Sequence, residues 1–196
     1  MGGHRGGDGV TLQAAPSNAL AEGDRSGQTV QLPAASPLRS LDPASPALVV
    51  FLRSFGCTFC REAMADVAAV QGVMRSDGTQ IAFVHGGSAE EAAPWFAKYG
   101  LGDVMQVSDP ELAHYRAFGL GRTKMQALVD PQVWTRGAVC AISHGFGVQS
   151  TEMMRQLPGV FVIRDGKIVA EFRHSSPADR PDYLQLTRSV KRGAKI

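Results

Sequence analysis

The sequence has few cysteines and no long apolar run, and both shortages limit what the chain can be. Three cysteines among 196 residues are too few, and odd in number, for a disulfide-stabilised scaffold. No apolar stretch approaches the roughly 20 residues that cross a bilayer, so no membrane partner is expected. The first ten residues lack the apolar core of a secretory signal, which makes the cytoplasm the expected location.

The sequence also lacks an excess of charge of one sign. It has 20 basic and 18 acidic residues, a net charge of +2, and no dense stripe of Lys or Arg. This balance argues against nucleic acid as a partner. The histidines are scattered and do not pair with one another or with Cys140 at the spacing of zinc ligands, so neither a metal nor an organic cofactor is expected.

The chain divides into an arm and one domain. Residues 1–27 are rich in Gly, Ala, Ser and Asp without apolar periodicity, which predicts a flexible arm. Residues 28–32 alternate as a short edge strand would, and residues 33–46 contain four prolines, as expected of a wrapping loop. Residues 28–196 are therefore predicted to form a single domain.

A strand–helix rhythm follows the loop. Apolar runs predict buried strands at 47–53, 79–85 and 104–109, and a helix follows each of them. The predicted helices cover residues 62–75, the stretch from the Ser88–Glu91 capping box to Lys98, and the stretch from Asp109 to Phe118. Residues 120–157 fit no regular pattern. A hairpin around Asp165 and Gly166 and a final amphipathic helix at 180–193 close the chain. This order predicts an α/β fold with a mixed sheet, helices on both faces and a helical or irregular insert before the C-terminal β-hairpin.

A CxxC pair stands where the first strand meets the first helix. Cys57 ends the strand segment and Cys60 falls in the first helical turn, where backbone amides favour a thiolate. A redox centre is favoured over half of a zinc site or two inert cysteines. The Ser54 hydroxyl can reach the same sulfur, and Arg53 and Arg61 add positive charge. Cys57, nearer the helix entrance, is expected to face solvent and to be the more nucleophilic thiol.

The stretch VVFLRSFGCTFCRE resembles the strand–CxxC–helix opening of the thioredoxin superfamily. In QLPGVFVIRDGKI, Pro158 stands where that superfamily has a cis-proline facing the two cysteines, so the resemblance implies a cis Leu157–Pro158 bond. A closer resemblance is to the peroxiredoxin-like alkyl hydroperoxide reductase/thiol-specific antioxidant (AhpC/TSA) group related to selenoprotein L. This resemblance covers most of the chain from Ala47 onward and rests on three stretches: FLRSFGCTFCRE, SDPELAHYRAFGLGR and LPGVFVIRDGKIVAEFRHSSPADRPDY.

That resemblance implies a thioredoxin-like three-layer α/β/α sandwich and thiol-dependent reduction of peroxides or disulfides. Ser54-x-x-Cys57 is similar to the Thr/Ser-x-x-Cys of peroxiredoxins. Val50 stands where peroxiredoxins have a proline, and Phe51 where thioredoxins have a buried acid, so peroxide and disulfide both remain candidate substrates.

The expected cycle starts with attack by the Cys57 thiolate and continues with resolution by Cys60. Pro158 shapes the groove, and Ser54 and Arg61 support the thiolate. A thioredoxin- or glutathione-type dithiol is the expected reductant, and a homodimer is one option. Cys140 is either a core residue or a second resolving thiol. The rival hypothesis is a non-enzymatic redox-sensing or binding module that uses residues 120–157 as its interaction surface.

Overall fold

The computed structural model describes residues 27–122, 155–176 and 179–192, together with positions 135, 138 and 141. The expected arm, apart from Gly27, lies outside the described residues. The same holds for Cys140 and most of the predicted insert.

A five-stranded mixed sheet forms the centre of the fold, in the order β3-β2-β1-β4-β5. The first three strands are parallel, and the last two form an antiparallel hairpin whose first strand pairs with β1. Their bounds are Ala47–Leu52 for β1, Gln80–His85 for β2, Met105–Ser108 for β3, Gly159–Arg164 for β4 and Lys167–Arg173 for β5. The predicted thioredoxin-like α/β fold is confirmed.

The local sequence accounts for the strands. All six residues of β1 are buried, as expected of a central strand covered on both faces. Between β4 and β5, Asp165 (φ 51°) and Gly166 (φ 68°) both adopt the left-handed conformation that a tight two-residue turn requires. The expected edge strand at 28–32 is reduced to one bridge, between Thr29 and Lys167.

Four α-helices and one short 3₁₀ helix have both of their ends within the described residues. The 3₁₀ helix spans Pro37–Ser40, and the α-helices are α1 (Thr58–Ser76), α2 (Ala89–Lys98), α3 (Ala113–Ala117) and α4 (Tyr183–Arg192). Ser88 Oγ accepts a hydrogen bond from the Glu91 amide at 3.2 Å, as the capping pattern predicts. None of these helices is long and apolar enough to cross a membrane.

Helix α3 starts later than predicted. Leu112, directly before it, has a left-handed backbone (φ 57°), so the helix cannot run continuously from Asp109. Asp109 instead caps it from a distance, because its carboxylate accepts hydrogen bonds from the amides of Ala113 at 2.9 Å and His114 at 2.7 Å.

The sheet separates two cores. On one face, apolar side chains of α1, α2 and α4 pack against alternate residues of β1 and β2 and enclose both cysteines. On the other face, α3 and the segment around the 3₁₀ helix cover an aromatic cluster of Phe51, Tyr115, Phe118 and Phe161.

Strand register gathers polar residues at one edge of the sheet. Phe51 pairs with Gly159, which in turn pairs with Arg173, and Leu52 pairs with His85. Arg53, Pro158 and His174 each lie one or two positions beyond these pairs. The end of β1, the start of β4 and the end of β5 therefore meet beside the CxxC segment.

The expectation of a cis peptide bond before Pro158 is wrong. No cis bond occurs among the described residues, which include Leu157 and Pro158. Pro158 nevertheless reaches the site: it lines the same small cavity as Cys60. The strand register brings it there, since Gly159 is the pairing partner of Phe51.

Candidate active site

Cys57 is the N-cap of α1, with an extended backbone (φ −81°, ψ 120°), and Cys60 lies in the first helical turn. Both are free thiols. Cys57 is 1% exposed and Cys60 4%, so the expectation that Cys57 faces solvent is wrong. The helix begins at this point because Cys57 accepts the first helical hydrogen bonds, from the amides of Cys60 and Arg61 to its carbonyl, both at 3.1 Å.

Arg53 is the cation that contacts the sulfur of Cys57. Its Nη2 donates to Cys57 Sγ at 2.8 Å, and its backbone amide donates to Cys60 Sγ at 3.2 Å. The residue is only 5% exposed. A buried guanidinium is costly to hold without an anion, so this geometry favours a negative charge on the pair of sulfurs.

The pKa values of the two thiols are shifted in opposite directions. The hydrogen bond with Cys60 and the charge of Arg53 lower the pKa of Cys57 to about 5, against the opposing effect of burial. Burial and the neighbouring Cys57 raise the pKa of Cys60 well above its usual value. At neutral pH the site therefore holds one thiolate, on Cys57, that accepts a hydrogen bond from a neutral Cys60.

Arg61 and Ser54, two residues selected from the sequence, lie beside the pair but point elsewhere. Arg61 Nε donates to the Phe55 carbonyl at 2.6 Å, and its guanidinium stacks 4.1 Å from the Trp95 ring centroid. This anchors the turn before Cys57. The Ser54 hydroxyl is buried and makes no hydrogen bond in the described part of the chain, so the expected bond to Cys57 is not formed.

A small cavity opens on the Cys60 side of the pair. Its volume is about 20 Å³, and its lining includes Arg53, Cys60, Pro158 and His174. The cavity is bounded by Arg180, which donates to both carboxylate oxygens of Asp66 at 2.7 and 2.6 Å. This ion pair fixes the segment before α4 onto α1.

Two further residues of the site were not selected from the sequence. His85 is 1% exposed, and its ring lies 5.1 Å from that of Phe55. Burial lowers its pKa, and its Nδ1 is 3.0 Å from the Gly87 carbonyl oxygen. Tyr115 reaches through the sheet from α3 and donates its hydroxyl to the Leu52 carbonyl, at the point where β1 ends.

The sequence contained a signal for Arg53, since a charged residue directly after a fully apolar strand lies at the carboxyl edge of the sheet. Choosing between Arg53 and Arg61 requires the directions of the side chains. Arg61 lies on α1, four residues after Cys57, and its side chain turns towards α2 and Trp95.

No group of three metal-ligating side chains is placed to hold an ion in the described ranges of the chain. The site instead consists of two buried vicinal thiols, one ionised beside an arginine, at the N-terminus of a helix in a thioredoxin-like fold. That combination defines the class of thiol oxidoreductases.

Comparison with known proteins identifies the family. The sequence profile of the AhpC/TSA antioxidant enzyme family matches residues 68–176, more than half of the chain. The chain belongs to the AhpC/TSA family, and it is an enzyme of thiol-dependent peroxide reduction. The matched region begins after both Cys57 and Cys60. No curated protein sequence matches the chain.

Solved structures share the fold at low sequence identity. The Xanthomonas campestris bacterioferritin comigratory protein, described with alkyl peroxide reduction activity, is 19% identical, with a TM-score of 0.51 over 78% of this chain and 82% of its own. Reduced Prx3 from Vibrio vulnificus is 14% identical, with a TM-score of 0.60 over 85% of this chain and 97% of its own. These neighbours support the fold.

Proposed function

We propose that Cys57 is the peroxide-reducing thiolate and Cys60 the resolving thiol of this enzyme. The Cys57 thiolate attacks one peroxide oxygen, the O–O bond breaks, and the departing alkoxide or hydroxide takes a proton from solvent water and leaves as alcohol or water. Cys57 becomes a sulfenic acid. Cys60 then attacks the Cys57 sulfur, a disulfide forms, and the sulfenic oxygen leaves as water. An external dithiol reduces the disulfide and restores both thiols.

The contact between Arg53 Nη2 and Cys57 Sγ, at 2.8 Å, carries this proposal. It places a fixed positive charge on one sulfur of the pair. The thiolate is the reactive form of cysteine, and a buried cation stabilises it before substrate arrives. Cys60, in the first helical turn and neutral, keeps the proton that it must lose only in the second step.

The family uses a peroxide substrate and a thiol reductant. We infer that the reductant of this chain is a thioredoxin- or glutathione-type dithiol, since the product of the proposed cycle is a disulfide. We also propose the cytoplasm as its compartment, because a reducing environment keeps both cysteines available. A homodimer, and a single domain spanning residues 28–196, belong to the same proposal.

The decisive experiment combines turnover with mass spectrometry. Reduced protein is mixed with hydrogen peroxide and then coupled to a thioredoxin system or to a glutathione system, while NADPH consumption is followed. We expect turnover with one of them, and a loss of two hydrogens within a single peptide that contains both Cys57 and Cys60.

Two variants assign the roles. Cys57→Ser should abolish peroxide consumption, whereas Cys60→Ser should still react once and stop at a sulfenic acid that dimedone traps on Cys57. A trapped sulfenic acid on Cys60 in the Cys57→Ser variant would reverse the assignment. A disulfide between Cys57 and Cys140 would remove Cys60 from the resolving role.

A further inference from the structure

His174 is a buried histidine for which the proposed cycle has no use. It follows β5 directly and is 9% exposed, and its ring lies 5.1 Å from the Phe172 ring in an edge-to-face contact. Its Nδ1 is buried and makes no hydrogen bond to any described residue. A buried polar atom without a protein partner is costly, so this position favours the binding of a water or a ligand.

The cavity provides room for that partner. His174 and Cys60 line the same space of about 20 Å³. A volume of this size holds about one water molecule, provided that polar groups surround it. Arg53, Cys60 and the imidazole provide those groups. One water molecule would therefore connect the Cys60 thiol with the ring of His174.

Cys60 needs such a connection because it must lose its proton before it can act. Burial, together with the neighbouring Cys57, raises the pKa of Cys60 well above its usual value, so at neutral pH the thiolate of Cys60 is scarce. Resolution needs the thiolate as attacking group. A proton acceptor close to Cys60 would therefore speed this step.

His174 is in the right state to accept. Burial, assisted by the charge of Arg53, lowers the pKa of His174 to about 4, against the opposing effects of Asp179 and of the backbone at Asp179 and Pro158, so its imidazole is neutral at neutral pH. Besides Cys60, the charged or titratable groups that line the cavity around it are Arg53, Glu62, Asp66, Asp179, Arg180 and Tyr183. Among them, Asp179 favours the imidazolium and Arg53 disfavours it.

We propose that His174 carries the proton of Cys60 during disulfide formation. The inference rests on the proposed function. As Cys60 attacks, its proton passes through the cavity water to His174, and the S–S bond forms while the Cys57 S–O bond breaks. The departing hydroxide takes the proton from His174 and leaves as water. The imidazolium exists only briefly, and no further oxidant or reductant is consumed.

The test measures resolution separately from peroxide attack. Reduced protein receives one equivalent of hydrogen peroxide, samples are quenched at intervals with dimedone, and mass spectrometry counts trapped Cys57 sulfenic acid against disulfide. In His174→Gln we expect the sulfenic acid to form at the rate of the unmodified protein and to resolve about 100-fold more slowly. His114→Gln, which removes a buried histidine from the opposite face of the sheet, is the matched control and should resolve normally.

The pH profile distinguishes proton transfer from a packing defect. The unmodified protein should resolve at a nearly constant rate between about pH 6 and about pH 8, because neutral imidazole is the base throughout. In His174→Gln, hydroxide replaces it, so the rate should rise about tenfold per pH unit. If His174→Gln does not fold, a solvent deuterium isotope effect on resolution in the unmodified protein is the second measurement.

Each outcome is decisive. Equal resolution rates in His174→Gln and the unmodified protein overturn the role of His174 and leave the Cys57–Cys60 cycle standing. A slow but pH-independent variant, or no isotope effect in the unmodified protein, also overturns it. If the unmodified protein forms no disulfide between Cys57 and Cys60, the cycle and this inference both fail.

Discussion

The two faces of the sheet each bury a histidine near an aspartate, in different circumstances. On the α3 face, His114 Nε2 lies 2.8 Å from Ser36 Oγ, and its Nδ1 lies 3.3 Å from Asp109 Oδ1. On the cysteine face, His174 has Asp179 nearby and borders a cavity beside a reactive sulfur. The Nδ1 atom of neither histidine makes a hydrogen bond to a described residue, so that atom does not distinguish them. The first arrangement joins chain segments through His114 Nε2 and Ser36, whereas the second borders a cavity.

The same contrast runs through the surroundings of the two histidines. Ser36 caps the 3₁₀ helix, and its hydroxyl accepts from the Leu38 amide at 3.2 Å, so the His114 cluster fastens the segment before β1 to α3. The cysteine face instead holds an arginine beside the Cys57 thiolate, together with a second thiol, Cys60, whose pKa is raised where that of Cys57 is lowered. Polar groups there are arranged for a change of charge, which a structural cluster does not undergo.

The largest expected effect is a loss of stability, and it tests whether the cores on the two faces of the sheet pack independently. Phe118→Ala removes a fully buried ring whose centroid lies 4.9 Å from those of Phe51 and Phe161. We expect a loss of about 3–5 kcal/mol in the free energy of unfolding, measured in urea. The alkylation rate of Cys57 in the folded protein should not change.

Phe96→Ala is the matched variant on the cysteine face. Phe96 is equally buried, and its ring contacts those of Phe55 and His85, beside the turn that holds Cys57. A comparable loss of stability is expected, now together with slower alkylation. If both variants slow alkylation equally, the two faces are not independent, and the comparison between them fails.

Much of this organisation was readable from the sequence. Apolar runs located the strands, Asp165-Gly166 located the hairpin, and the CxxC pattern placed Cys60 in the first helical turn, although α1 begins at Thr58, before the predicted helix at 62–75. These features depend on local periodicity and turn chemistry. The start of α3 was not readable, because the left-handed conformation of Leu112 has no sequence signal of its own.

The site was readable only in part, because side-chain direction and strand register decide it. Cys60 and Pro158 line one cavity and Cys57 contacts Cys60, although the bond before Pro158 is trans. Arg53 and Arg61 are equivalent by composition, and only the packing of α1 against Trp95 separates them. His174 enters the site because Arg173 pairs with Gly159, a register that a periodic pattern alone does not fix.

The next prediction tests which arginine sets the acidity of Cys57. In Arg53→Met, the pKa of Cys57 should rise from its value of about 5, because the cation 2.8 Å from its sulfur is lost. One pKa unit is about a tenfold change in thiolate fraction below the midpoint, so alkylation by iodoacetamide near pH 5 should fall about tenfold or more. The midpoint of the rate–pH profile is the measurement.

The pH dependence of the free energy of unfolding should also depend on the charge of Arg53. A thiol with a depressed pKa contributes stability that is fully present above its unfolded value of about 8.5 and is lost as pH falls towards about 5. Unfolding in urea should therefore show a weaker pH dependence across this window in Arg53→Met. Arg61→Met is the control: a midpoint shift as large as that of Arg53→Met would return the role to Arg61.

The smallest expected effect concerns the aspartates beside the two histidines. In Asp109→Asn, an NH₂ group replaces one of the two carboxylate oxygens, Oδ1 and Oδ2, which accept from the amides of Ala113 and His114 respectively, and the charge at the start of α3 is lost. We expect about 1–2 kcal/mol of destabilisation above about pH 5, shrinking on acidification, since hydrogen bonds to His114 and Ala113 hold the pKa of Asp109 below its usual range. Disulfide formation should be unaffected.

Asp179→Asn is the counterpart near the cysteines. Asp179 Oδ2 accepts from the amides of Ser175 and Ser176 at 2.7 and 2.9 Å, and its charge favours the protonated form of His174. A stability loss similar to that of Asp109→Asn is expected, but here resolution of the Cys57 sulfenic acid should also slow, by about tenfold or less. Dimedone trapping in both variants makes the comparison. Equal resolution rates would mean that Asp179, like Asp109, only joins chain segments.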